Sequence, residues 1–599
     1  MAYFSLKHSF SEQNSDKTID SETITYGPNQ DQILEQHTSD FLFFGIHPKL
    51  KIKIQAEAFQ LTDTPDFELN SAAYAFIFFD KKKNTIKLYR DFFGTLPLFF
   101  SVKNKTLFVS NSLRKVATWS GLKINENQIA KYFNADFEDN PIDSDTFFEN
   151  VFRVLPGHLC LISENEIKQQ KHSEVVIGDT RNFKSIFFDK INKFKQSEQK
   201  LGAHLSGGLD SSSIVSILKT EKPETFYFDP GKENINEHKI AKWVAAKLEV
   251  NLNEIKFKTE YLDYAKRSCE ITFQPEQMVI PSATFLKILE KAQDLGVQQM
   301  ISGHGGDAIV GYGFEYLNAL FEQKKYSLYK KELKKYVKIQ NENQQKTEIE
   351  GKLTVEKLMA QAFLKKLKKN LLNGNVKTVF ELCYTFLFKL NVGVFPILKV
   401  ITSRFDKIKE IPLGKKLKIK STKKNDVTPQ SERLNFDGNK YQKSLLDSNF
   451  VTLSAVALEA LYDLHQAYEV TPKYPFLNKE LLESSLNTPL SKKFFDGYGR
   501  GDLRAAIQGN LPDKVRLRTS KGAFNNYHLE HLQILHVQTE YDLKTTHKVW
   551  QYINKNTFER AISIVLNPNF TSKQKNNQIW FCSKTISLAI WLDTLDSAV

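Results

Sequence analysis

Short apolar runs separated by polar turns dominate the first 170 or so residues of the chain. The runs are Phe41–Ile46, Leu50–Ile54, Tyr74–Phe79, Thr85–Tyr89, Leu96–Val102, Thr106–Val109 and His158–Ile162. Runs of this length, bounded by turn-forming residues, are typical of β-strands. The pattern therefore predicts a β-rich region with few long helices.

The pattern changes to alternating strands and helices from residue 182 onward. The segments are a helix over Asn182–Gln199, a strand at Ala203–Leu205, a strand over Thr225–Phe228, a helix over Glu237–Leu248, a helix over Ser282–Leu295 and a strand over Gln298–Ser302. Such alternation predicts a doubly wound parallel sheet that binds its ligand at the carboxyl ends of the strands.

Beyond Tyr312 the pattern is mostly helical. The longest apolar stretch, Val379–Ile401, is interrupted by charged residues and by Gly393 and Pro396. It predicts a buried, broken helix, and no membrane span is expected. The polar stretch Ser421–Lys440 predicts a mobile loop.

Composition limits the class of protein. A chain of 599 residues, 41% of them hydrophobic, can form two or more domains with a sizeable core. Four cysteines, Cys160, Cys269, Cys383 and Cys582, show no CxxC spacing. This favours a reducing cytoplasm and argues against a zinc site. The polar segment Met1–Thr18 predicts no secretory signal.

The net charge of +14 is concentrated in Lys324–Lys338, Lys365–Lys369 and Lys407–Lys424. These segments can form a solvated basic face, contact nucleic acid or an anionic membrane, or steer an acidic peptide or ATP. No groove-reading motif or interleaved aromatic pattern accompanies them, so a nucleic-acid partner is not expected. Composition alone does not decide between a solvated face, a membrane contact and the steering of a ligand.

The segment Ser206–Ser213, SGGLDSSS, lies between a short apolar stretch and an apolar-periodic run. Its glycines allow close backbone approach, and a helix N-terminus attracts an anion. The hydroxyls of Ser206, Ser211 and Ser212 add donors, and a carboxylate such as Asp210 beside a phosphate suggests bridging Mg²⁺. The segment resembles the SGGxDS loop of ATP pyrophosphatases. The alternative is a serine-rich turn with a helix cap.

A second glycine-rich loop, Ser302–Asp307, follows the apolar pair Met300–Ile301. Two strand-end loops that each carry an Asp are what a site for ATP and Mg²⁺ needs. Alone, this loop could be a plain glycine turn.

The two loops resemble SGGLDSS and SGEGADE of the asparagine synthetase family, and further motifs follow in that family's order. They are YAF with Asp80, RDFFGTLPL at 90–98, RVLPGH at 153–158, YPFL at 474–477, LRAA at 503–506, GNLP at 509–512 and RTSKGAF at 518–524. The resemblance spans nearly the whole chain except an insert at about 320–450. The chain is therefore identified as a member of that family.

The resemblance implies an N-terminal Ntn-hydrolase-like αββα sandwich, a degenerate glutaminase, over residues 1–175. An ATP-pyrophosphatase (PP-loop) domain with a doubly wound parallel sheet and a helical C-terminal part would follow over 180–599. Such enzymes activate a carboxylate as an acyl-adenylate, from which an amine displaces AMP.

The resemblance also implies roles for individual residues. Asp210 and Asp307 would bind Mg²⁺, and Lys521 would neutralise charge on the α-phosphate. Arg504 and Arg518 are weaker candidates for the same anionic site, since each could equally form a structural salt bridge. The nucleotide would contact Leu205, Ser206, Gly207, Gly208, Asp210, Ser211, Ser212 and Gly303.

The departures from the family pattern concern the amine source. The family's glutaminase uses a cysteine at position 2 as nucleophile, whereas this chain begins Met1-Ala2 and no glutamine-pocket motif follows. We therefore expect a structural N-terminal domain that does not hydrolyse glutamine. In the second loop His304 and Ala308 replace family Glu residues. His304 could accept a proton from an attacking amine or be a hydrogen-bonded structural histidine.

Relatives that lack the nucleophile include β-lactam synthetases and lasso-peptide cyclases. The long insert favours the latter, which join an Asp or Glu side chain of a core peptide to that peptide's N-terminal amine. A precursor peptide, and possible association with a leader peptidase, are the expected partners. The alternatives are a ligase for free ammonia or a small amine, a non-catalytic ATP-binding protein, and a tRNA-modifying pyrophosphatase. The last does not explain the N-terminal motifs.

Overall fold

The computed structural model describes most of the chain. The described ranges are 5–9, 33–37, 41–46, 51–55, 58–62, 73–80, 82–134, 143–172, 175–178, 181–230, 235–344, 353–398, 436–449, 455–519, 525–537, 546–570 and 572–598.

The first part of the chain forms antiparallel strands, as the apolar runs predict. Their bounds are β1 Ser5–Ser9, β2 Ile33–His37, β3 Phe41–Ile46, β4 Lys51–Gln55, β5 Ala58–Thr62, β6 Ala75–Asp80, β7 Thr85–Arg90, β8 Phe99–Lys103, β9 Thr106–Ser110, β10 Phe152–Arg153, β11 His158–Ile162 and β12 Ile167–Lys171. Each of the seven predicted runs overlaps one of these strands.

Most of these strands form two sheets, ordered β1-β9-β8-β10 and β12-β11-β7-β6-β3-β2, while β4 and β5 form a separate hairpin. Ile77 and Leu88 of the larger sheet pack with Leu6 and Val109 of the smaller one. Helices α1 (Leu113–Ser120) and α2 (Glu126–Asn134) follow β9, and α1 packs on β8 and β9. The two facing sheets and α1 fit a sandwich, and its second helical layer stays a prediction.

The predicted parallel sheet forms in the second part of the chain. Its strands are β13 Leu201–His204, β14 Glu224–Phe228, β15 Leu252–Ile255, β16 Gln299–Ile301 and β17 Thr471–Lys473, in the order β15-β14-β13-β16-β17. The helices between them are α3 Phe183–Asn192, α4 Leu209–Leu218, α5 Ile235–Leu248, α6 Tyr261–Thr272 and α7 Ser282–Asp294. The strand order reverses between β13 and β16, so the loops after these two strands border the switch point, where such sheets bind ligands.

The middle of the chain is helical, with a hydrophobic cluster of its own that includes Leu333, Phe363 and Phe386. Its elements are α8 Gly306–Val310, α9 Glu315–Glu322, α10 Tyr326–Gln344, α11 Val355–Leu372, α12 Val376–Tyr384 and, after the gap at 399–435, α13 Lys440–Asn449. A π-helical turn, Thr385–Lys389, continues α12.

Two predictions fall in this helical region. The segment Val379–Ile401 is not a buried helix, because Phe380, Phe388 and Phe395 lie largely exposed. It breaks at residues 391–393, as Gly393 predicts, but Pro396 lies in the first turn of a new helical segment where its missing N–H costs nothing. Most of the predicted mobile loop Ser421–Lys440 lies outside the described residues.

The C-terminal part is also helical. Its elements are α14 Ala455–Ala467, α15 Lys479–Asn487, α16 Leu490–Lys493, α17 Gly501–Ala506, α18 Asp513–Arg516, α19 Asn525–Val537, α20 Lys555–Leu566 and α21 Ser572–Ala598. Trp591 of α21 packs against Phe147 and Phe148 of the N-terminal part. Across the described ranges, no helix is long and apolar enough to cross a membrane.

Candidate functional site

The first loop connects β13 to α4 with its backbone close to α5. Gly207 has φ +72°, and a Cβ there would lie 2.9 Å from the backbone nitrogen of Ala241. Gly208 precedes α4 without any side-chain cap. The amide groups at the start of this ten-residue helix are thus available to an anion.

Serine hydroxyls line the same loop. The Oγ atoms of Ser206 and Ser211 are 3.1 Å apart, and the Oγ of Ser206 accepts a hydrogen bond from the Gly208 N–H at 3.3 Å. The Oγ of Ser212 is buried and has no hydrogen-bond partner within the described structure. Leu205 is fully buried, and its N–H donates to the carbonyl of Phe226 at 2.9 Å, so this residue anchors the loop to the sheet.

The second loop packs directly against the first. A Cβ on Gly303 would lie 2.9 Å from the nitrogen of Ser211 and 3.0 Å from the Cβ of Asp210. Gly305 has φ +81° and turns the chain into α8, which carries Asp307 in its first turn. Only glycine allows this close approach, and it brings the two aspartates, one from each loop, together.

Arg500 joins the two aspartates. One Nη atom lies 3.0 Å from Oδ2 of Asp210 and 2.8 Å from Oδ1 of Asp307, and the other Nη donates to Oδ1 of Asp210. Burial alone would lower the pKa of Arg500, but the two carboxylates raise it above the usual range. Tyr312 donates a further hydrogen bond to Oδ1 of Asp307 at 3.2 Å.

The backbone holds Arg500 in place at some energetic cost. Arg500 has φ +62°, which a side-chain-bearing residue rarely adopts. It stands between Gly499, where a Cβ would meet the carbonyl oxygen of Tyr312 at 2.5 Å, and Gly501, which is crowded by the backbone of Lys492. Such strain persists where the surrounding structure imposes it, as at ligand sites.

The two carboxylates fit a magnesium ion. Asp210 and Asp307 converge on a single positively charged nitrogen, and hard carboxylate oxygens are the protein ligands that Mg²⁺ prefers. Within the described ranges no group of three or more His, Cys, Asp or Glu residues is arranged to hold a metal. A site with two carboxylates suits Mg²⁺ that takes its remaining oxygens from phosphates and water.

His304 lies in the second loop with a neutral ring. Burial lowers its pKa to about 4, although the carboxylate of Asp307 opposes this shift. Its Nε2 is buried without a hydrogen-bond partner in the described part of the chain. The ring is 5.8 Å from that of Tyr474. The hydrogen-bonded structural histidine that the sequence left open is thus not the arrangement found at Nε2.

The other predicted cations occupy different places. Arg504 donates to the carbonyls of Gly499 at 2.7 Å and Arg518 at 3.1 Å, and to that of Arg516. Arg518 donates to the carbonyl of Gly207 at 3.1 Å. Arg504 therefore clamps backbone segments together, while Arg518 supports the first loop from its carbonyl side. Lys521 lies outside the described residues.

Sequence reasoning did not select Arg500. The available signal was its position between two glycines, four residues before Arg504 in the segment GRGDLR. That spacing places it at the start of a helix, but nothing in the sequence indicates that it reaches an aspartate 290 residues away.

Two known protein families match this chain. Residues 183–593 match the family model described as asparagine synthase, and residues 67–173 match that of the glutamine amidotransferase domain. The glutamine-hydrolysing asparagine synthetase 1 of Bacillus subtilis is 24% identical over 40% of this chain and 39% of its own length. A putative asparagine synthetase 1 of Methanocaldococcus jannaschii is 27% identical over 44% of this chain and 48% of its own length.

These matched regions span less than half of either relative. Among solved structures, an NH3-dependent NAD synthetase from Campylobacter jejuni is 16% identical and covers 22% of this chain and 61% of its own. The TM-score of this match is 0.16.

Proposed function

Because the chain belongs to the asparagine synthase family, we propose that it is an ATP-dependent ligase that adenylates a carboxylate and forms an amide. The observation that carries the proposal is the convergence of Asp210 and Asp307 on Arg500, beside the uncapped helix start at Gly208. This arrangement combines a metal-binding carboxylate pair with an anion site, as release of pyrophosphate from ATP requires.

The residues of the site have distinct proposed roles. Asp210 and Asp307 would hold Mg²⁺, which when bound offsets charge on the departing pyrophosphate. Ser206, Ser211 and the amides of the first loop would donate to phosphate oxygens, and the unpartnered hydroxyl of Ser212 is a further donor. Lys521 remains a proposed α-phosphate contact by family resemblance.

His304 is proposed to take part in the amide-forming step. The amine nitrogen attacks the acyl carbon, AMP leaves with the electron pair of the broken C–O bond, and the nitrogen must lose a proton. The neutral ring of His304, with an unpartnered Nε2, can accept that proton because the nitrogen becomes acidic as the C–N bond forms.

We further propose that the amine belongs to the substrate. Cys160 is the only cysteine within residues 1–175, it is buried, and burial raises its pKa to about 12. A thiol in that state is a poor nucleophile. This supports the prediction that the N-terminal domain does not release ammonia from glutamine.

The insert supports a large substrate. Lys335 of α10 pairs with Asp496 at 2.8 Å, and the backbone of Lys335 closely approaches Gly497, just before Arg500. Tyr312 and Phe314 stack with ring centres 5.9 Å apart and stay partly exposed next to Asp307. These features bring the insert and two partly exposed aromatic rings close to the site. By the resemblance to lasso-peptide cyclases, the proposed substrate is a peptide whose Asp or Glu side chain joins its own N-terminal amine and closes a macrolactam. A precursor peptide and an associated leader peptidase remain proposed partners.

The test combines the purified full chain with ATP, Mg²⁺ and a core peptide that has a free N-terminus and one ring-position Asp or Glu. We expect AMP and pyrophosphate together with loss of one water from the peptide mass. The matched control is the same peptide with an acetylated N-terminus. It should release AMP only when hydroxylamine traps the activated carboxylate as a hydroxamate.

Competing functions give different results in the same assay. AMP formation only with ammonia and aspartate would favour an asparagine synthetase and overturn the macrolactam proposal. ATP binding without AMP from any substrate would favour a non-catalytic homologue and overturn both.

A further inference from the structure

The helical region formed by α11, α12 and the segment after it carries an exposed apolar surface. We call it the outer face. It consists of Leu371, Leu372, Val376, Phe380, Tyr384, Phe388, Val394, Phe395 and Leu398, each more than half exposed. Phe380, Phe388 and Phe395 are 71%, 73% and 77% exposed. Monomeric soluble proteins rarely leave so many large apolar side chains together in water, so this surface calls for an occupant.

Two faces of α12 and of the π-helical turn that continues it are apolar. Val376, Phe380, Tyr384 and Phe388 recur every four residues and form an exposed stripe. Leu382, Phe386 and Leu390 recur with the same spacing and pack into the cluster with α9 to α11. Because that second stripe already fixes the helix in the fold, folding alone does not require the exposed one.

The charges around the outer face are mostly positive. Within the described residues 355–398 the exposed charged side chains are Lys357, Lys365, Lys368, Lys377 and Lys389, against Glu356 and Glu381. The sequence that continues from this face is also lysine-rich over residues 407–424. Protein interfaces are depleted in lysine, whereas lysines around exposed aromatic and aliphatic side chains match anionic phospholipid headgroups.

From this arrangement we propose that the outer face binds the surface of an anionic membrane. The apolar side chains of α12 and of the turn at residues 371–376 would enter the boundary between headgroups and acyl chains. Lysine side chains beside them would contact lipid phosphates, with their methylene stems in the apolar layer. This goes beyond the proposed ligase activity and would place the site next to a lipid surface.

The test is co-sedimentation of the full chain with vesicles of phosphatidylcholine alone or mixed with phosphatidylglycerol. We expect retention on the mixed vesicles and much less on phosphatidylcholine, with release as salt rises to about 0.5 M. The double variant Phe380→Ser/Phe388→Ser should bind at least about tenfold less. The triple variant Lys365→Gln/Lys368→Gln/Lys377→Gln should bind roughly 100-fold less, given the usual contribution of each lysine.

The matched control changes exposed apolar residues elsewhere, in Ile167→Ser/Val176→Ser, and should bind as the unchanged chain does. Thermal unfolding verifies that every variant folds, which exposed positions should permit. Absence of binding to the mixed vesicles, or equal binding by all variants, would overturn the proposal. So would a lipid-free dimer that the Phe380→Ser/Phe388→Ser variant dissociates, because a second copy would then be the occupant. AMP release by the lipid-free chain tests the ligase proposal separately.

Discussion

Two regions of the chain carry family motifs, and they differ in the groups that their central buried arginine binds. In the N-terminal domain, the buried guanidinium of Arg90 donates to the carbonyls of Gly94, Leu96 and Val154 and to Glu459, each at 2.8 Å. In the asparagine synthase region, Arg500 pairs instead with Asp210 and Asp307. Its Nε, Ser212 Oγ and His304 Nε2 are buried without a partner in the described structure, as are Thr95 Oγ1 and Gln128 Oε1 in the N-terminal domain. An unpaired buried polar group is costly, and a bound ligand is one of the ways in which its hydrogen bond is completed. The three atoms near the two glycine-rich loops are therefore candidate ligand contacts because of their position.

Arg90 connects the N-terminal domain to a helix of the asparagine synthase region. Glu459 of α14 lies between Arg90 and Arg153, and all three side chains are nearly inaccessible to solvent. The motifs RDFFGTLPL and RVLPGH thus fix the N-terminal domain to the asparagine synthase region, residues 183–593. These two motifs therefore have a structural role that does not depend on glutaminase chemistry.

The largest expected effect concerns the two aspartates that Arg500 joins. Asp210→Asn should lower AMP release by about 10³-fold, because it removes a charge that the proposed Mg²⁺ needs. Thermal unfolding should change little, since Arg500 keeps its pair with Asp307. The control Asp513→Asn changes an exposed aspartate that pairs with Arg516. An equal loss of AMP release in both variants would show that Asp210 has no special role in the reaction.

Glu459→Ala should have the next largest effect, and on stability rather than chemistry. It leaves Arg90 and Arg153 buried without a counter-charge, which typically costs about 3–5 kcal/mol. Denaturant unfolding measures this loss, and ATP binding by the remaining folded protein should be normal. Glu469→Ala, at an exposed position just after α14, is the control. A stability equal to that of the control would mean that the connection between the domains lies elsewhere.

His304→Ala separates the two half-reactions. ATP–pyrophosphate exchange should stay within about twofold, while amide formation falls about 10²-fold, the usual contribution of a positioned proton acceptor. Single-turnover assays of each step measure the two rates. His547→Ala, which removes a histidine paired with Asp593, should alter neither. Parallel loss of both steps would assign His304 to nucleotide binding.

The sequence predicted most of the fold and part of the site. The apolar runs indicated seven of the twelve described N-terminal strands, and the βα alternation indicated the parallel sheet, because local periodicity reflects which face is buried. It did not predict β15 and β17, since four and three residues carry too little periodicity. The exposure of Phe380 and Phe388 was also missed, because an apolar helix face reads the same whether it is covered or not. Arg500 depends on a contact between distant segments, which no local pattern encodes.

The finest test compares two neighbouring serines of α4, both fully buried. Ser213 Oγ donates to the carbonyl of Leu209 at 2.5 Å, whereas Ser212 Oγ has no partner among the described residues. Ser213→Ala should lose about 0.5–1 kcal/mol of stability and bind ATP unchanged. Ser212→Ala should keep or slightly gain stability, because an unpaired buried hydroxyl is lost, yet bind ATP several-fold more weakly. Denaturant unfolding and calorimetric ATP titration measure the two quantities. If both variants behave alike, the absence of a partner does not mark a ligand contact here, and the contrast between the two regions would rest on Arg500 and His304 alone.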